Sequence, residues 1–272
     1  MKGKIFLLLI LSAGLVSCNN VQQHKERKSA AVSLNKPADN PLLMATLYNY
    51  YAAEYQALCY QAYNVAKERV ARLRKEFPKK KNMAVVVDID ETILNNSPYQ
   101  ALTIEKNSHF PRCWDTWCQL AVAKSIPGAV SFLKYADSLG FQVFYVTNRS
   151  LKLKTATMKN LRKDGFPQVT DNHIYMRTTT SNKEPRRQAI SKKYDIVLLA
   201  GDNLGDLYEA SAKYPLRNQR VAALHNLFGK KYIVLPNPMY GTWPAGLGLY
   251  RKKAPVDSLL KVMTKSFGDA CR

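Results

Sequence analysis

Met83 to Tyr99 reads MAVVVDIDETILNNSPY. Five apolar residues, three of them valine, run without a polar interruption into Asp88-Ile89-Asp90. A short β-branched run of this kind suits a strand buried on both faces of a parallel sheet. Four more runs repeat the theme downstream: FQVFYV (141–146), HIYM (173–176), DIVLLA (195–200) and YIVLP (232–236). Helical stretches are expected between them at 128–139, at about 150–164 ending on Gly165, and at 183–193. Strand–helix repetition at this spacing predicts an α/β fold, a doubly wound and mainly parallel Rossmann-like sheet. In such sheets ligands sit at the carboxyl ends of the strands. Three of the runs end there in polar residues: Asp88-Ile89-Asp90, Thr147-Asn148-Arg149 and Gly201-Asp202-Asn203.

Upstream of the decisive stretch, Asn40-Pro41 is expected to open a helix, with Asn40 as cap and Pro41 in the first turn. That helix is expected over 41–77 and closed by Pro78. Residues 18–40 are polar and mixed and read as a tether. Met1 to Ser17 has a short basic start and an apolar run too short to span a bilayer comfortably, the pattern of an export signal. Leu15-Val16-Ser17-Cys18 is similar to a bacterial lipobox, so Cys18 is the expected lipidation site. The expectation is therefore an exported chain held on a bacterial membrane, the outer membrane by preference, through an N-terminal lipid anchor. The main domain is expected over 41–272.

Across all 272 residues, 46% are hydrophobic and the net charge is +21, which excludes collagen-like, disordered and multi-span classes. Removing residues 1–17 takes Lys2 and Lys4 and leaves +19, a balance that suits anionic partners. The basic residues fall in short runs such as Lys79-Lys80-Lys81, Lys192-Lys193 and Lys230-Lys231, not on one groove-binding helix. No specific nucleic-acid partner is expected. Beyond Cys18, the cysteines at 59, 113, 118 and 271 have no zinc-site spacing, and their pairing stays open.

Two carboxylates two residues apart, Asp88 and Asp90, repel each other unless a cation is present. Phosphoryl transfer uses such a pair: an ionised carboxylate attacks phosphorus and a protonated one supplies the leaving oxygen with a proton. Asp202 and Asp206 in LLAGDNLGDL add acidic ligands at another strand end, and an all-oxygen set suits magnesium. Gly201 and Gly205 are expected to allow close backbone approach to the ion. Thr147 offers a hydroxyl to phosphate oxygens, and Lys183 offers a positive charge at a helix start.

Asp-x-Asp-x-Thr, a threonine at the second strand, a later lysine and Gly-Asp-x-x-x-Asp resemble the four motifs of the haloacid dehalogenase (HAD) superfamily. More narrowly, VVVDIDETILNNSPY and VLLAGDNLGDL resemble the signatures of the class C bacterial acid phosphatases, and Trp114-x-x-Trp117, IPGAV, TNR, GFP and PNPMYGTW extend the likeness from about residue 42 to about 250. Leu207 departs from it, standing where an aromatic residue is expected. The resemblance implies an HAD-type sheet with a small, largely helical cap inserted at about 96–125. It implies a magnesium-dependent acid phosphatase acting on small phosphomonoesters, nucleoside 5′-monophosphates among them, through an aspartyl-phosphate. Asp88 would be the nucleophile and a metal ligand. Asp90 would be the general acid and then base, with its backbone carbonyl on the metal. Thr147, Asn148 and Lys183 would hold the phosphoryl group. Asp202 and Asp206 would complete the metal site. Trp114 and Tyr240 would meet the leaving group, with core packing as the competing role for both. A phosphotransferase using the same intermediate, or a basic surface-binding lipoprotein without catalysis, are the alternative readings. Oligomeric state is left open.

Overall fold

The computed structural model describes Pro37 and residues 40–210, 213–250 and 255–265. The expected signal segment 1–17, the lipidation site Cys18, most of the tether and Cys271 lie outside the described residues. The helix expected over 41–77 is two helices, α1 (Leu43–Tyr51) and α2 (Ala53–Glu76), separated at Ala52, whose ψ is 130°. Asn40 is not the helix cap: its Oδ1 accepts the Leu42 N–H at 2.9 Å in a turn formed by Pro41 and Leu42, and the helix begins at Leu43, two residues later than expected. No Pro or Gly lies at the break, so its cause is tertiary. α2 buries Tyr55, Cys59, Tyr63, Ala66, Val70 and Leu73, a stripe at helical spacing. α1 instead turns Thr46 and Asn49 inward and packs on the helix Ser97–Glu105.

Strand β1 (Met83–Val87) follows, buried at every position. Next come β2 (Leu94–Asn95), α3 (Ser97–Glu105), α4 (Trp114–Leu120) and β3 (Lys124–Ser125). β2 and β3 pair antiparallel, Leu94 with Ser125 and Asn95 with Lys124, so a two-strand ribbon closes the inserted helices α3 and α4 at their base. The chain continues through α5 (Ala129–Ser138), β4 (Gln142–Ser150), α6 (Lys154–Lys163), β5 (Ile174–Arg177), α7 (Glu184–Ser191) and β6 (Asp195–Gly201). It ends in α8 (Leu204–Leu207), α9 (Tyr214–Ala223), β7 (Tyr232–Val234), α10 (Thr242–Gly246) and α11 (Val256–Met263). Among the described residues no helix is long and apolar enough to cross a membrane.

The main sheet has five parallel strands in the order β5-β4-β1-β6-β7. From β1 the chain moves outward through β4 and β5, then returns to the other side of β1 for β6 and β7. The reversal opens a crevice at the carboxyl ends of β1 and β6. Alternation along β1 feeds two cores. Met83, Val85 and Val87 join α2 and α5 on one face, where Phe132 stacks on Tyr63 at 5.5 Å. Ala84 and Val86 join Phe144, Ile190 and Leu199 on the other, and Leu207 is buried with them.

β4 overruns its expected end at 146 and continues to Ser150, because pairing with β5 resumes between Ser150 and Arg177 after an irregularity beyond Val146. Its alternation buries Thr147 and Arg149 and leaves Asn148 exposed. Cys59, Cys113 and Cys118 are free thiols, the first and last of them buried.

Candidate active site

The β1–β6 pairing places two acidic loops side by side. The Asp88 N–H donates to the Ala200 carbonyl at 3.0 Å, so the ladder continues up to the first aspartate. One carboxylate oxygen from each of Asp88, Asp202 and Asp206 lies within 4.8 Å of the others. Thr92, the last residue of Asp-x-Asp-x-Thr, ties the loops together. Its Oγ1 accepts the Asp202 N–H at 3.0 Å and lies 3.3 Å from Asp202 Oδ1 and 3.4 Å from Asp88 Oδ2. Tyr63 of α2 donates its hydroxyl to the Thr92 carbonyl at 2.5 Å. Asn237, in the PNPMYGTW segment, donates to Asp202 Oδ2 at 2.8 Å.

Asp206 has two tasks. Its Oδ2 accepts the Asn203 N–H at 2.9 Å and caps the short helix α8, while its Oδ1 meets Lys183 Nζ at 2.6 Å. Lys183, buried at the start of α7, also bonds Asp88 Oδ1. A β-carbon on Gly201 would stand 2.3 Å from Asp206 Cβ, so the close approach at this strand end requires glycine. At Gly205 a β-carbon would meet no protein atom nearer than Asn203 Oδ1 at 4.0 Å.

Burial governs the charges. It pushes the Asp88 carboxyl up to about 7; Lys183 pulls against it, and Asp206 and Asp90 add to the rise. Asp202 is raised well above the ordinary carboxylate range, first by burial and then by Asp206 and Asp88. Burial works against a charged Lys183, yet Asp206 and Asp88 outweigh it and hold the ammonium protonated. Three carboxylates share one ammonium, which leaves the pocket short of positive charge. An all-oxygen set of this kind fits a hard divalent cation, held by Asp88, Asp202 and Asp206.

Residues 4–243 match the family described as HAD superfamily, subfamily IIIB (acid phosphatase). This chain belongs to that family. The class C acid phosphatase of Bacillus anthracis has a similar structure, with a TM-score of 0.75 and 39% identity over 80% of this chain and 93% of that one. The same protein with tungstate bound gives 0.75 and 38%, over 82% and 95%. Acid phosphatase 1 of Solanum lycopersicum is 29% identical over 168 residues, 57% of each chain. A stem 31 kDa glycoprotein of Glycine max is 27% identical over 170 residues, 58% of this chain and 59% of its own. The chain thus spans less than two thirds of the length of these curated relatives.

Within this subfamily IIIB site, Asp90 stands apart from the three clustered carboxylates. Its Oδ1 accepts from Arg149 Nη2 at 2.7 Å and Nε at 2.9 Å, and from Asn96 Nδ2 at 2.9 Å. Both supports lead to the inserted helices. Trp117 Nε1 donates to Asn96 Oδ1 at 2.8 Å, and the Arg149 guanidinium lies 5.5 Å from the Trp114 ring. Trp114 also meets Tyr99 at 4.9 Å and Phe110 at 5.8 Å. Glu91, fully buried at φ 56°, accepts the Asn96 N–H at 2.7 Å and so fixes the entry to α3. Burial and then Asp90 push its carboxyl up to about 8.

Thr147 is fully buried, and its Oγ1 accepts the Arg149 N–H at 3.0 Å. Asn148 faces outward and its Oδ1 accepts from Arg186 Nη2 at 2.7 Å, while Arg186 Nη1 donates to the Thr147 carbonyl at 2.6 Å. Arg187 grips the Asp206 loop through the Gly205 and Asp206 carbonyls at 2.8 and 2.9 Å. Tyr240 is partly exposed between Asn237, bound to Asp202, and Gly241, where a β-carbon would press on Asn203 Nδ2 at 2.6 Å.

Glu91, Asn96, Arg149, Arg186, Arg187 and Asn237 received no role from sequence reasoning. Glu91 and Asn96 lie inside the opening stretch, and Arg149 inside TNR, so adjacency to the aspartate and threonine motifs was the available signal. Asn237 lies inside PNPMYGTW, whereas Arg186 and Arg187 meet the site only through tertiary contact.

Proposed function

We propose that this chain hydrolyses phosphomonoesters, with Asp88 as the nucleophile. The observation that carries the reading is the Asp88 carboxylate itself. It is buried at the carboxyl end of the central strand, bonded to Lys183, and clustered with Asp202 and Asp206. The tungstate bound in the Bacillus anthracis relative, a tetrahedral oxyanion like phosphate, supports it.

In this reading an Asp88 oxygen attacks phosphorus as the bond from phosphorus to the leaving oxygen breaks, and Asp90 gives that oxygen a proton. Asp90 then takes a proton from water, the water oxygen attacks phosphorus, and the phosphorus–Asp88 bond breaks to return the carboxylate. Lys183 and Thr147 hold the transferring group. Asp88, Asp202 and Asp206, with the Asp90 carbonyl, would hold magnesium, which when bound relieves repulsion between the attacking carboxylate and the phosphate. Trp114 and Tyr240 face the leaving group, and a purine or pyrimidine is a fitting partner for such rings. Cys18 carries a lipid and holds the chain at a bacterial membrane.

The first test is Asp88→Asn, which keeps size and removes the nucleophile. Phosphate release from a nucleoside 5′-monophosphate at acidic pH should fall to background, and a variant retaining the parent rate would overturn the covalent route. Chelation should abolish activity and magnesium should restore it; indifference to chelator would remove the metal from the reading.

A further inference from the structure

At the end of the sheet remote from the carboxylates, three lysine runs come together. Lys79-Lys80-Lys81 precedes β1, Lys192-Lys193 precedes β6 and Lys230-Lys231 precedes β7. These strands are neighbours and parallel, so the chain enters all three at one edge. Far apart in sequence, Lys192, Lys193 and Lys231 rim a single cleft with Asn82, Tyr194 and Asp195. Asp195 is paired with Lys80 at 2.5 Å and does not offset the others. Arg69 and Arg74 reach the same edge, donating to the Lys230 carbonyl at 3.1 Å and the Lys80 carbonyl at 2.8 Å.

Helices α2 and α7 end here, and a helix C-terminus favours a cation. One cation per end meets that need, whereas the three runs together supply seven lysines. β6 has seven residues, which at about 3.3 Å each separates the lysine edge from the carboxylates by roughly 20 Å. That exceeds twice the screening length of about 8 Å at physiological salt, so the acidic pocket does not neutralise the basic one.

We propose that this basic pole is a docking surface for an anionic bilayer, which would turn the carboxylate crevice away from the lipid. Charge complementarity carries the choice of partner. The pole consists of lysine point charges, and its two arginines are engaged by carbonyls. The Tyr194 ring is half-buried and packed on Phe144 at 5.1 Å, which takes up part of the surface a nucleobase would stack on. Phe77, 42% exposed at the end of α2, lies 5.6 Å from the Lys80 ammonium, placing one apolar side chain among the lysines. Headgroup attraction with shallow apolar insertion is the usual means of interfacial binding.

The test compares the full chain on vesicles of phosphatidylcholine alone and of phosphatidylcholine with phosphatidylglycerol. Any N-terminal anchor contributes equally to both, so the anionic-to-neutral partition ratio isolates the charge contact. At low salt the parent ratio should be about tenfold or more. Lys192→Glu/Lys193→Glu/Lys231→Glu, or high salt, should bring it close to one. The charge-matched control Lys124→Glu/Lys159→Glu/Lys163→Glu should keep most of it, and phosphate release in both variants reports correct folding. Should the charge-reversed protein misfold, the Lys→Gln triple at the same three positions should still lower the ratio several-fold. A parent ratio near one, or equal losses in pole and control variants, overturns the proposal. So does a ratio near one combined with single-stranded DNA binding that disappears in the pole variant, which would make nucleic acid the partner.

Discussion

Asp90 illustrates how a side chain close in sequence to another can be governed from elsewhere. Two residues from Asp88, it is held by Arg149 from β4 and Asn96 from the edge of the insertion. Arg149 thereby acts as a positioning residue for the proposed proton donor. Arg149→Lys keeps the charge and loses the fork that grips Asp90. Its effect should depend on the leaving group. Alkyl phosphates, which need the proton, should lose roughly 10²-fold or more in kcat/KM, while aryl phosphates with acidic leaving groups lose far less. Equal losses for both would place Arg149 in phosphate binding or folding. Asp88 was legible because it directly follows an apolar run, and Asp202 because it stands one glycine past another. Arg149 was visible as part of TNR but without a task, since a strand position does not reveal which carboxylate the neighbouring strand will present.

At the scale of elements, the close passage of Asp206 over the end of β6 distinguishes two glycines that look alike in GDNLGDL. Gly201→Ala sets a methyl 2.3 Å from Asp206 Cβ and must displace the carboxylate that meets Lys183. Gly205→Ala meets only Asn203 Oδ1, at an unstrained 4.0 Å. Magnesium titration of activity should show apparent affinity reduced at least about tenfold in Gly201→Ala and little changed in Gly205→Ala; the reverse order would refute the steric account. Sequence reasoning treated both glycines as equals, because closeness to a side chain five residues on depends on how the chain folds back. The break at Ala52 and the overrun of β4 were hidden for the same reason. No Pro or Gly marks the break within 43–76, and α1 packs on α3 once the chain has turned at Ala52. β4 extends because β5 offers a partner at Arg177.

For the whole molecule, the buried acids make metal-free stability depend on pH. Glu91 ordinarily loses its proton near 4.5 and in the fold holds it up to about 8. Between those values the folded chain binds more protons than the unfolded chain, so stability is greatest in acid and declines as pH rises through the window. Asp88, raised to about 7, acts in the same direction. Melting temperature without metal should therefore fall from pH 5 to pH 8. Magnesium should raise it most at the alkaline end, where ions compete with fewer protons, and Asp202→Asn should weaken that rise. A metal-free melting temperature that climbs with pH would contradict the burial of these groups. Glu91→Gln, which keeps an acceptor for the Asn96 N–H, should flatten the profile.

The amino-acid order by itself determined the strand cores, the parallel α/β plan and the aspartates at the strand ends. These follow from local periodicity and from polar residues placed where an apolar run stops. Only the tertiary structure decided that Asp90 is gripped by Arg149, that Asn148 faces outward, and that scattered lysine runs share one edge. Such pairings depend on strand order and register, and both are settled by the packing of distant segments.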